Sequence, residues 1–172
     1  MRKSVLILLS IALWTLPLLA QEKPQAGAPK PIEDPFWESL IGKWEGWSES
    51  PEGKSQDEVE FEWELHKQFL KTKVSSKANE KEYKTTGYAT LDPATGARLG
   101  YWFDTYRGFF KSTETREGNK IMMKSVGPVT IERTAEKVGE DKMVGTFRVT
   151  APDGSVVEGK WELMRKKKDS KK

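Results

Sequence analysis

The chain of 172 residues contains no cysteine. It therefore holds no disulfide, and a lipid-modified N-terminus, which needs a cysteine at the cleavage point, is excluded. Histidine is almost missing too, since His66 is the only one. A Ser-His-Asp site must use it or not exist. A zinc site would need several carboxylates beside it, and neither His-x-x-x-His nor Glu-x-x-His spacing occurs. His66 falls at a strand end before Lys67-Gln68 and reads as a solvated turn residue. No metal site, no cofactor and no catalytic constellation are expected. No apolar run after Leu19 has the length of a membrane-spanning helix.

Neither sign of charge dominates. The formal net charge is +3. Setting aside Arg2 and Lys3 leaves +1, and the five Lys and one Asp of Lys166 to Lys172 account for +4, so the segment from Gln21 to Arg165 carries −3. A nucleic-acid-binding domain needs its basic patch on the fold itself, so this distribution argues against one.

Residues 1–20 have the layout of a secretory signal: Arg2 and Lys3, an apolar run from Val5 to Leu19 broken by Ser10, Thr15 and Pro17, then the small Ala20. The protein is expected to be exported, to the periplasm or outside the cell, with no membrane span after cleavage. Residues 21–33, with Pro24, Pro31 and Ala26-Gly27-Ala28, read as a flexible spacer. Residues 34–165 read as one domain. Residues 166–172 form a Lys-rich tail, expected to be disordered and able to make weak, salt-sensitive contacts with anionic envelope components.

What is abundant is short alternation. Val59, Phe61, Trp63 and Leu65 alternate with Glu58, Glu60, Glu62 and Glu64, a half-buried strand with its carboxylates in water. Phe69 to Ser76 follows, with Lys71 and Lys73 on its polar face, so the two strands should pair as a hairpin with opposite outward charges. Further strands are expected at 83–91, 98–104, 109–116, 120–126, 129–134, 143–150 and 155–165. They are separated by turns such as Asp92-Pro93-Ala94-Thr95-Gly96 and Pro152-Asp153-Gly154. With the strand that starts after Gly42, this makes ten. Ten antiparallel strands in simple order suggest an up-and-down β-barrel with room for side chains and one small ligand.

The stretch before Gly42 is helical in character. Asp34 is a good N-cap, Pro35 suits the first helical position, and Glu38 complements the positive helix end. About two turns of helix are predicted, acting as a lid, with Gly42 ending them at positive φ.

Gly42-Lys43-Trp44 directly after a short helix resembles the opening of the calycin barrels, which include the lipocalins. In that superfamily the Trp packs at the closed barrel end under a basic residue of the last strand. The resemblance implies the same structural role for Gly42, Trp44 and Arg165. The pattern of Trp44, Gly87-Tyr88, Leu91 to Gly96 and Tyr101-Trp102-Phe103-Asp104 resembles a family of exported bacterial lipocalin-like domains of unknown function, over roughly Pro35 to Arg165. These are turn and core residues, so they imply a fold and no assigned activity. Ten-stranded relatives in the wider superfamily include fatty-acid-binding proteins and the haem-binding nitrobindins. The nitrobindin ligand histidine comes from late in the chain, where this sequence has none.

For the interior, the alternation places Trp63, Tyr101, Phe103, Phe109, Met123, Phe147 and Trp161 on inward faces, with Thr72, Thr85 and Ser125 as polar companions. Such a lining suits a small apolar ligand. Trp102, on the opposite face from Tyr101 and Phe103, is expected either to join Trp47 and Tyr88 in an exposed aromatic patch or to be capped locally by the lid helix; an exposed patch would mark a protein or membrane contact and the alternative function, a surface-mediated interaction or structural module with a filled barrel.

Overall fold

A computed structural model describes residues 29–167. The predicted signal, most of the spacer and the end of the tail lie outside the described residues.

One short helix, α1 (Pro35–Glu38), precedes ten strands: β1 (Gly42–Ser50), β2 (Gly53–Glu64), β3 (Phe69–Ala78), β4 (Lys81–Leu91), β5 (Arg98–Asp104), β6 (Phe109–Glu117), β7 (Lys120–Val126), β8 (Thr130–Val138), β9 (Lys142–Thr150) and β10 (Val156–Arg165). Each strand pairs antiparallel with the next, and β10 pairs back with β1, closing the barrel. Closure leaves no sheet edge to aggregate.

The Glu and Lys strands pair as their patterns predict. Glu60 stands opposite Lys73 and Glu62 opposite Lys71. The Lys71 ammonium lies 2.7 Å from Glu64 and 3.1 Å from Glu62. The hydrogen bonds that Lys71 donates to Glu64 and Glu62 raise its pKa above the usual lysine range.

α1 is a single turn, shorter than the two turns expected. Its N-terminus is capped by Asp34, whose carboxylate accepts from the amides of Phe36 (2.9 Å) and Trp37 (3.2 Å). The helix stops early because the next carbonyls have other partners. Leu40 accepts from the Trp44 indole at 2.7 Å, while Ser39 and Ile41 accept from Arg165. Gly42, at φ +122°, then swings the chain into β1.

The chain also joins the fold earlier than the spacer boundary at residue 33 suggests. Ile32 is buried and its amide donates to the carbonyl of Lys67, and Gln68 donates to the carbonyls of Pro29 and Lys30. The core lies at the lid end, where Phe36, Trp37 and Leu40 pack on Trp44, Leu70, Ile121, Met143 and Leu163.

Candidate binding site

Inside the barrel, beneath α1, is a cavity of about 280 Å³. Trp37 and Leu40 of the lid form part of its wall, and strands from most of the barrel supply the rest. Other hollows are lined mainly by charged or polar strand residues, such as Lys43, Glu58, Glu60, Lys73 and Lys84, or Lys124, Glu132, Arg148 and Glu158.

Of the residues placed inward from sequence, Thr72, Met123, Phe147 and Trp161 line this cavity. Trp63 does not. It faces the lid, its ring 6.1 Å from that of Trp37 and its indole donating to Glu38 at 2.8 Å. Thr85 and Ser125 are buried without lining it, and Thr85 donates to the carbonyl of Phe103.

The expectation for β5 and the start of β6 is reversed. Tyr101, Phe103 and Phe109 point outward, and Phe103 and Phe109 are each about half exposed. The Phe109 ring lies 5.4 Å from Phe103 and 6.5 Å from Tyr101. Trp102 and Phe110 take the inward positions instead. The reason is the facing strand. Trp102 stands opposite Gly87, and a Cβ at Gly87 would lie 2.2 Å from the indole. The ring lies flat on the bare backbone and its Nε1 donates to Ser112 at 3.1 Å. Phe147 over Gly159 and Trp161 over Gly145 repeat the arrangement. Large rings laid over glycines on neighbouring strands are the signal that reading each strand alone leaves out. The outer patch expected from Trp47, Tyr88 and Trp102 does not form as such, and the exposed ring cluster is Tyr101, Phe103 and Phe109 instead. Trp102 is inward, and Trp47 is covered by Lys54 and Lys160, whose ammonium groups lie 4.4 and 5.7 Å from its ring centroid.

His66 is exposed in the β2–β3 turn, where Leu65, His66 and Lys67 all have positive φ. Among the described residues, no group of three or more His, Asp and Glu side chains is placed to hold a metal ion.

Three charged elements of the interior have no counterpart in the strand-by-strand pattern. The first is at the lid. Asp34 Oδ2 lies 2.5 Å from Arg98 Nη2, and its Oδ1 lies 2.6 Å from Arg116 Nη1. Burial alone would raise the Asp34 pKa. The Arg98 hydrogen bond, the Trp37 amide and Arg116 outweigh it and hold the carboxyl below its usual range. The second is Glu114, which lines the cavity with Arg98 Nε 3.4 Å from its carboxylate. Desolvation pushes its pKa up to about 7 against the opposing pull of Arg98. The third is Arg133 on β8, which shares the cavity wall with Asp57. Asp57 accepts from the Ser55 hydroxyl at 2.8 Å.

Neither a protein-family model nor a curated protein sequence matches the chain. Solved structures do. Rv2717c from M. tuberculosis superposes with a TM-score of 0.59 at 17% identity, over 79% of this chain and 100% of that one. The S-type phycobiliprotein lyase CPES from Guillardia theta gives 0.57 at 10% identity, over 78% of this chain and 92% of that one. These likenesses show the fold. The molecule is a ten-stranded antiparallel barrel of the lipocalin-like type.

Proposed function

We propose that this protein is an exported, non-enzymatic barrel that holds a small, largely apolar ligand in its interior. The observation that carries the reading is the cavity under α1, walled by Phe61, Leu70, Met123, Met143, Phe147 and Trp161. Its volume of about 280 Å³ lies just below the usual range of roughly 300–1,000 Å³ for ligand pockets, which favours a small occupant. The export part of the reading rests on the charged, apolar and small-residue layout of residues 1–20.

The test is native mass spectrometry of the protein purified from its own host, with an absorbance scan. A retained small molecule at a fixed mass increment supports the reading and names the chemical class. A protein at its bare mass that also shows no heat of binding with small apolar compounds overturns it.

One observation favours a second function. The clustered rings of Tyr101, Phe103 and Phe109 give the outer wall an exposed apolar patch, the kind of surface that marks a protein contact. Phe103→Ser combined with Phe109→Ser would abolish partner capture in that case and leave interior binding intact.

A further inference from the structure

The cavity is not uniformly apolar, and its polarity is ordered along the barrel. At the lid end its wall is largely apolar, with Trp37, Leu40, Leu70, Ile121, Met143 and Leu163, and the one carboxylate there, Glu114, lies beside Arg98. Towards the opposite end, on β1 to β3, it carries Ser48, Asp57 and Ser76. Between them stands Arg133, the only cation among the described residues that line it.

Arg133 is densely surrounded by protein. Its neighbours across the ladder are Met123 and Phe147, and it lines the cavity. Among the described residues its guanidinium makes no salt bridge and donates no side-chain hydrogen bond. Desolvation pulls its pKa down, and only longer-range attraction from Tyr83 and Asp57 opposes this. Both belong to the end away from the lid, so the guanidinium reaches towards that end.

An enclosed guanidinium with no bonded partner is costly. The arginines at the lid end, by contrast, each have an acceptor: Arg98 and Arg116 have Asp34, and Arg165 has two backbone carbonyls. The two carboxylates in the cavity do not fill the role at Arg133. Glu114 lies beside Arg98, and Asp57 is bonded to Ser55. Arg133 thus presents a planar fork of N–H donors, with aliphatic and aromatic wall next to it. The acceptor that matches such a fork is a group with two coplanar oxygens.

We infer that the interior ligand is a small aliphatic or aromatic monocarboxylate, its apolar body under the lid and its carboxylate on Arg133. The inference rests on the interior-binding reading above and adds the chemical class and the orientation.

The test compares two probes of equal chain length, octanoate and 1-octanol, by calorimetry at neutral pH on the wild-type chain, on Arg133→Met and on Arg133→Lys. The expected result is at least tenfold tighter binding of octanoate than of octanol by the wild type. Arg133→Met should lose that preference, its octanoate and octanol affinities falling within about twofold of each other, and Arg133→Lys should retain part of it. Met has similar length and no charge, so Arg133→Met should melt at the same temperature as the wild type or higher. Equal affinity for acid and alcohol in all three proteins would overturn the assignment of a carboxylate and leave the apolar site standing. A lowered melting temperature with no change in the acid preference would make Arg133 a structural partner of Asp57 and overturn it too. No binding of either probe would remove the interior site itself. Should Arg133→Met fail to fold, the wild-type preference and the Arg133→Lys series decide between these outcomes.

Discussion

The guanidinium of Arg165 lies 4.2 Å from the centroid of the Trp44 ring, and the same group donates to the carbonyls of Ile41 at 2.7 Å and Ser39 at 2.5 Å. One side chain from the last strand thus covers the buried indole of the first strand and binds the carbonyls between the lid and Gly42. A Cβ at Gly42 would stand 3.3 Å from its Nη1, so the glycine also makes room for it.

Arg165→Met should therefore cost about 2–4 kcal/mol, because it removes two charge-assisted hydrogen bonds and one cation–π interaction at a poorly solvated site. Arg165→Lys should recover only a minority of it, because an ammonium cannot span both carbonyls while stacking on the ring. Urea denaturation followed by tryptophan fluorescence measures both.

Gly87→Ala tests the placement of Trp102. The added methyl would enter the space of the indole, 2.2 Å from its nearest atom, so the ring must shift. A loss of about 1–3 kcal/mol is expected from overpacking, together with a changed Trp102 emission and weaker binding of any interior ligand. Gly96→Ala, at a turn where a Cβ meets no atom within 4 Å, serves as the control for backbone strain without a packing clash, since Gly96 has φ +70°.

Asp34→Asn keeps an acceptor for the helix amides and removes the charge that pairs with Arg98 and Arg116. A loss of about 2–3 kcal/mol is expected, below the full cost of breaking a buried pair because the two arginines are each about a quarter exposed. The folded Asp34 pKa is depressed, so its stabilisation is present above its ordinary value of 3.8 and fades as pH falls through the lower folded value. The variant should lack that acid-side loss. Hydrogen exchange of the Phe36 and Trp37 amides reports whether the lid loosens.

Glu114 acts in the opposite direction. Its folded pKa, about 7, exceeds the ordinary 4.5, so the folded state binds the extra proton between these values. Stability should fall as pH rises from 4.5 to 7 and stay level above it, by an amount on the order of a few kcal/mol. Glu114→Gln should flatten this slope and be more stable than the wild type at pH 8. Melting temperatures across pH 4 to 9 check both, and an unchanged slope in the variant would assign the titration to another group.

Much of the barrel was written locally. Turn residues such as Asp92 to Gly96 and Pro152 to Gly154 punctuate the chain, and the Glu and Lys alternation of β2 and β3 fixes their facing charges. These are near-neighbour effects, so ten strands in simple order could be counted from the residues alone. Trp44, Gly42 and Arg165 were legible for a different reason, through the resemblance of Gly42-Lys43-Trp44 after a short helix to the opening of the calycin barrels. Closure itself, and what it brings together, was decided by tertiary structure. In Tyr101-Trp102-Phe103 both faces carry rings, so alternation cannot choose between them, and the bare backbone of Gly87 on the adjacent strand does. Asp34 meets Arg98 and Arg116 across 64 and 82 residues. Arg133 looks from sequence like any strand arginine, and it becomes a cation facing a cavity only when β8 curls between β7 and β9 with its odd-numbered residues inside.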